Sequence, residues 1–163
     1  MKITSPIRFS ARSFYNRMMK NFIFLVHLSA TLYLVGVIWI IQILVYPLMA
    51  NVGAEGYAAY HNLHTSRITP IVAPAMILEL LTAIYLAFTS FEAIDRRYFW
   101  FGLVLVLIIW LSTFLVQVPL HEKLGTSFDS DVQRKLVQTN WIRTIAWSLR
   151  GAFVLWMVWL KIK

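Results

Sequence analysis

The residues best suited to chemistry are three of the chain's four histidines. His61 and His64 stand three apart, a spacing that brings two side chains onto nearly one face of a helix. With His121 from another element they form a donor set that could hold a transition metal such as Fe, Cu or Zn, and Glu122 or Glu55 could add an oxygen. The same imidazoles could instead work as acid and base groups near neutral pH. Arg67 and Arg143 are the candidate cations for an anionic or oxyanionic group beside them. A plainer reading is a hydrogen-bonded interfacial cluster that holds an acidic head group.

These residues sit in an oily chain. Of 163 residues, 60% are hydrophobic and 13% charged, against about a quarter charged in soluble domains, so the composition points to a lipid bilayer. No cysteine is present, which excludes disulfides, iron–sulfur clusters, thiolate zinc sites and cysteine nucleophiles. The formal charge is +8, and Lys2, Arg8, Arg12, Arg17 and Lys20 all precede the first apolar run. A basic flank beside an apolar run is a topology signal, and no nucleic-acid partner is expected.

Four apolar runs, about Phe22–Tyr46, Ile68–Phe91, Tyr98–Leu120 and Asn140–Leu160, are long enough to cross a bilayer, which takes roughly 20 helical residues. Each must satisfy its backbone internally, so each reads as a helix. The expected fold is all-α, a four-helix transmembrane bundle over residues 1–163 as one domain. The basic segment 1–21, the Asp95-Arg96-Arg97 turn and the Lys161–Lys163 tail fall on one side. The positive-inside rule makes that side cytoplasmic, with both termini there, and a bacterial inner membrane is the expected location. A homo-oligomer is an open expectation.

Helical spacing then gathers the polar residues. Tyr57, Tyr60, His61, His64 and Arg67 follow steps of three and four, which predicts a short amphipathic helix over 54–66 in the first outer loop. Pro70 would sit in the first turn of the second span and Pro74 would kink it. Gln42 and Tyr46, Gln117 and His121, and Asn140 and Arg143 close the outer ends of the other three spans. Polar groups at membrane depth face the bundle interior or a wet cavity, so these stripes should converge on one outer-face pocket. Gln42, Tyr46, Gln117, Asn140 and Trp141 are its candidate binding residues. Gly36 and Gly151 would allow close helix contact.

Glu79 and Arg150 lie deeper, near the bilayer middle on different spans. An isolated charge there is costly, which predicts an intramembrane ion pair between them. A proton relay or a counter-ion for substrate is the functional alternative. His27 sits at the inner end of the first span without a histidine partner at its depth, so it reads as interfacial rather than as a haem ligand.

Two stretches carry a resemblance. "QVPLHEKL" at Gln117–Leu124 and "LVQTNWIRTIAWSLR" at Leu136–Arg150 resemble the anthrone-oxygenase-like four-span membrane proteins. The likeness covers the second half of the chain and extends to His121, Asn140, Trp141 and Arg143. Where those proteins usually have asparagine after the proline step, this chain has His121. The resemblance implies oxygenation of an aromatic, lipophilic substrate without an obvious cofactor. Joined to the residues, it gives the main expectation: a membrane-embedded oxidoreductase or oxygenase acting on a small lipophilic molecule in a histidine-lined pocket, with or without a metal. The alternative is a non-enzymatic membrane protein that binds lipid, haem or a partner subunit, or forms a small-solute or proton pathway.

Overall fold

The structure is a computed structural model that describes residues 11–89, 91 and 94–163, with the side chains of 11 and 12 outside the description. Lys2 and Arg8 of the basic flank, and the side chain of Arg12, therefore lie outside the described residues.

The apolar runs all fold as helices, because a backbone in hydrocarbon has only its own segment to bond with. Helix α1 (Ala11–Ile40) passes through a π-helical segment, Ile41–Val45, into α2 (Tyr46–Met49). Helix α3 spans Ala54–Phe88. Helix α4 (Arg96–Ser112) passes through a second π segment, Thr113–Gln117, into α5 (Val118–Leu124). Helix α6 spans Ser130–Ile162. Four helical rods are thus long and apolar enough to cross a membrane: Ser13–Met49, Ala54–Phe88, Arg96–Leu124 and Ser130–Ile162. No strand occurs among the described residues, and the chain is an all-α four-helix bundle.

The helices outrun the expected spans. The segment expected as a separate surface helix, 54–66, is the first part of α3 and continues unbroken into the second span. Pro70 accordingly lies in the interior of α3 with Pro74, not in a first turn. Buried packing on both sides of the prolines, at Tyr57 and His61 and again at Ala83, Leu86 and Ala87, holds the helix through them. Helix α6 starts ten residues before Asn140 because Asp129 caps it, accepting the amides of Asp131 and Val132 at 2.8 and 3.1 Å. At the other end Asp95 caps α4 and pairs with Arg97, whose hydrogen bonds hold the Asp95 carboxyl below its ordinary range.

Each π segment runs into a proline, Pro47 or Pro119, at the start of the next helix. Proline lacks an N–H and its ring presses on the carbonyl four residues back. Widening to the longer π repeat moves that carbonyl aside, and such bulges are common at functional sites.

Three buried clusters stack along the bundle. Leu86, Phe99, Val106 and Val154 fill the end near Asp95, Leu34, Met76, Ile109 and Trp147 the middle, and Tyr46, Met49, Tyr57 and Leu136 the histidine end. Gly151 sits where a Cβ would meet Val35 Cγ2 at 3.0 Å, so its smallness does set a helix contact. Gly36 does not: a Cβ there would meet nothing within 4 Å.

Candidate functional site

The site is organised by Arg143, on α6. Its side chain is buried, with 7% exposure. Nε and Nη2 donate to Asn140 Oδ1 at 2.9 and 2.5 Å, and Nη1 reaches Thr113 Oγ1 at 3.4 Å. Nη2 also reaches Tyr46 Oη at 3.3 Å and Gln117 Oε1 at 3.4 Å. All these partners are neutral. The ion pairs among the described residues are Arg97–Asp95, Arg134–Asp131 and Arg150–Glu79, and Arg143 belongs to none of them. A buried cation thus stands without a carboxylate, an arrangement that is costly unless something else supplies the charge.

The neutral shell is itself fixed. Asn140 Nδ2 donates to Gln42 Oε1 at 2.8 Å, and Gln42 Nε2 to Val137 O at 3.2 Å. Gln117 Nε2 donates to Thr139 Oγ1 at 2.9 Å. Gln42 and Gln117 both lie in π segments. Gln42, Gln117 and Asn140 therefore stand behind Arg143 and orient it.

In front of Arg143 is a cavity of about 620 Å³, the size of a drug-like ligand site. Its polar end carries Arg143, Tyr46, His61, His64, His121 and Glu122. Its apolar part is walled by Leu34, Ile38, Met76, Trp110 and Trp147.

Three of the polar residues form a hydrogen-bonded chain. Tyr46 Oη is 2.8 Å from His121 Nε2, and His121 Nδ1 is 2.9 Å from His61 Nε2. His61 Nδ1 is buried without a partner among the described residues. A neutral imidazole has one donor and one acceptor, so the chain has two directions. In one, His61 donates toward Tyr46 and leaves Nδ1 as a bare acceptor. In the other, Tyr46 donates toward His61, and Nδ1 carries the proton. Switching between them moves a proton from one end to the other. Gln133 holds the base of this chain, accepting from Tyr57 Oη and donating to Tyr46 O at 2.7 Å.

Several candidate residues fall elsewhere. Arg67 is exposed and does not line the cavity. Trp141 is exposed and packs edge-on against Trp39, with ring centroids 5.7 Å apart. Glu55 is exposed. His64 lines the cavity, its ring edge-on to Tyr46 at 6.5 Å. The metal set does not fit as folded. His61 and His121 point nitrogens at each other, the remaining His121 nitrogen faces Tyr46, and no group of three His, Asp or Glu among the described residues could hold a metal ion.

The deep pair is present. Arg150 Nε donates to Glu79 Oε1 at 2.6 Å, and each side chain is 1% exposed. Thr31 donates to Glu79 Oε1 at 2.8 Å and Trp147 Nε1 to Oε2 at 3.0 Å. Arg150 Nη1 donates to Gly102 O and Nη2 to His27 Nε2, both at 2.6 Å. His27 is therefore not interfacial but a buried member of this network, its Nδ1 2.7 Å from Thr82 Oγ1. Because Arg150 donates to Nε2, the ring proton sits on Nδ1 and goes to Thr82. Helix α1 begins at Ala11, so His27 lies sixteen residues into the helix rather than at the inner end of a span. The pairs His27/Thr31 and Glu79/Thr82, four and three apart, are the signal that marks these inward faces.

Fold and site together define an integral membrane four-helix bundle with an oily pocket headed by a cation and a histidine chain. Compared with family models, with curated proteins and with solved structures, the chain matches none. The likeness of its second half to the anthrone-oxygenase-like proteins rests on the two short motifs alone.

Proposed function

We propose that the protein binds a small lipophilic molecule that carries, or develops, a negative oxygen, and that Arg143 is its counter-ion. The observation that carries this reading is the buried Arg143 guanidinium without a carboxylate at the head of an otherwise oily cavity. Arg150, seven residues further along the same helix, has its carboxylate. Calorimetric titration with oleate and with oleyl alcohol in the same detergent tests the reading. A charge-assisted contact is worth about 1.5–3 kcal/mol, so oleate should bind at least about tenfold more tightly. Equal affinities would remove Arg143 as a charge partner.

The catalytic form of this reading is an oxidoreductase or oxygenase acting on a carbon acid. A proton leaves a methylene carbon of the substrate for the Tyr46–His121–His61 chain, and the resulting enolate oxygen lies against Arg143. Dioxygen is the oxidant: the methylene becomes a carbonyl and the dioxygen leaves as one oxygen in the product and one in water. The chemistry needs protons moved and an oxyanion held, and the residues in front of Arg143 suit both. The network around Glu79 is closed by Thr31, Trp147 and Arg150, which favours a structural pair over a proton pathway. We place the protein in a bacterial inner membrane with its histidine end outward.

A further inference from the structure

Exposed side chains line the cavity at two places, Asn62, Glu122 and Thr126 at the histidine tip and Thr69, Phe114 and Val118 deeper along the rods. Toward the Asp95 end, α3 and α4 are packed together through Ala83, Leu86, Phe99 and Val106, and in the middle through Met76 and Ile109. At the histidine end the tips of α3 and α5 are tied by Asn62 Nδ2 to Gly125 O at 3.1 Å and by the His61–His121 contact at 2.9 Å. Gly125 permits that approach, since a Cβ there would meet Asn62 Oδ1 at 2.8 Å. Between these two closures the walls of the cavity include exposed side chains: Thr69 on α3, and Phe114 and Val118 on the facing rod, the last two 58% and 37% exposed. Phe114 belongs to the π segment.

The depth of this window follows from the helix rise. Thr69 is ten residues from Glu79, about 15 Å along α3, which is half of a hydrocarbon core of about 30 Å. Met76 is three residues from Glu79, about 4.5 Å. With the Glu79–Arg150 pair near mid-bilayer, the window opens within one leaflet. Its rim of Phe114, Val118 and Thr69 is apolar apart from one hydroxyl, and that hydroxyl is spent on Thr65 O at 2.7 Å. Such a rim offers lipid tails a surface and offers water no partner. Arg143, meanwhile, faces the same cavity with its charge.

We propose that the ligand reaches the site sideways from the leaflet at the histidine end, and is a single-tailed lipophilic anion. Its head sits at Arg143 and its tail passes between Thr69 and Val118 into the bilayer. This rests on the anion-binding reading of Arg143 and adds the route and the tail.

The test is calorimetry in nanodiscs with oleate and with octanoate, a short acid that fits inside the cavity, using empty nanodiscs as the blank. The variant Thr69→Trp/Val118→Trp fills the window and leaves Arg143, Tyr46 and the histidines in place. A Thr69→Phe/Val118→Phe variant serves if the first does not fold. Equilibrium affinity does not depend on the route, so the window predicts that oleate, whose tail needs the space, loses at least tenfold in affinity, while octanoate stays within twofold of wild type in affinity but binds more slowly. Unchanged oleate binding would overturn it, and so would equal loss of both acids in a variant with wild-type thermal stability. If wild-type protein binds neither acid, the anion-binding reading itself fails, an outcome distinct from both.

Discussion

Arg143 and Arg150 stand seven residues apart on one face of α6, both buried, and only Arg150 has a carboxylate. Seven residues are close to two helical turns, so the two guanidiniums look into the same bundle interior at different depths. The deeper one is neutralised by Glu79 and tied to His27 and the Gly102 carbonyl. The other is held by amides and hydroxyls and faces a cavity. A bundle that pairs one cation so fully has the means to pair the second. We read its absence as room for a ligand's charge.

The Glu79–Arg150 pair should be strongly coupled. Glu79→Gln leaves Arg150 as an unpaired buried cation and Arg150→Gln leaves the carboxylate unpaired, each costing about 3–5 kcal/mol. The double variant should lose less than the sum of the two, by at least about 1 kcal/mol. Thermal or denaturant unfolding in one detergent measures all three, and simple additivity would remove the coupling.

Gly102 should resist even the smallest side chain. A Cβ there would lie 3.3 Å from Arg150 Nη1, and Arg150 is held by Glu79, Gly102 O and His27 and cannot yield freely. The crowding costs about 1–3 kcal/mol against the roughly 1 kcal/mol alanine gains in a helix, so Gly102→Ala should lower stability by up to about 2 kcal/mol. Gly36→Ala, with nothing within 4 Å, is the matched control and should not destabilise. Equal effects in the two would show that the approach of Arg150 to Gly102 is not tight.

The histidine chain should matter for chemistry more than for folding. Tyr46→Phe removes the hydroxyl shared by His121 and Arg143, at about 0.5–1.5 kcal/mol of stability. With anthrone as probe, wild type should speed dioxygen uptake and anthraquinone formation. Tyr46→Phe and His121→Ala should each slow this at least about a hundredfold, the scale of a lost acid–base group. Anthrone oxidation no faster with wild type than with empty detergent would sink the catalytic form and leave anion binding standing.

Hydropathy made the four rods legible, because a long apolar run in lipid has one solution. The pocket was legible where polar residues followed helical steps into the interior, as at Tyr46, His61, His121 and Arg143. It was not legible where the helical step leaves the inward face. Arg67 is two steps of three from His61, and each such step falls short of a full turn, so it drifts about 120° off the face and comes out exposed. Trp141 is one residue from Asn140, about 100° around the helix, and packs on Trp39 outside. The roles of Gln42 and Gln117 were hidden as well. Pro47 and Pro119 announce a disturbance in the helix, but not the π segments that turn these amides toward Asn140, Arg143 and Thr139. Nor does the spacing of histidines tell a metal set from a hydrogen-bonded row, since both ask for rings on one face.

The central claim is that Arg143 is the counter-ion of a lipophilic anion, and carboxyl-labelled oleate followed by carbon-13 NMR tests it most directly. Wild-type protein should give a saturable bound carboxyl signal that stays ionised to lower pH than free oleate, because a nearby cation favours the carboxylate. Arg143→Gln should lose that signal or weaken binding at least about tenfold, the cost of one charge-assisted contact, while Arg67→Gln leaves it unchanged. A bound carboxyl signal in Arg143→Gln with wild-type affinity and wild-type pH dependence would contradict the claim.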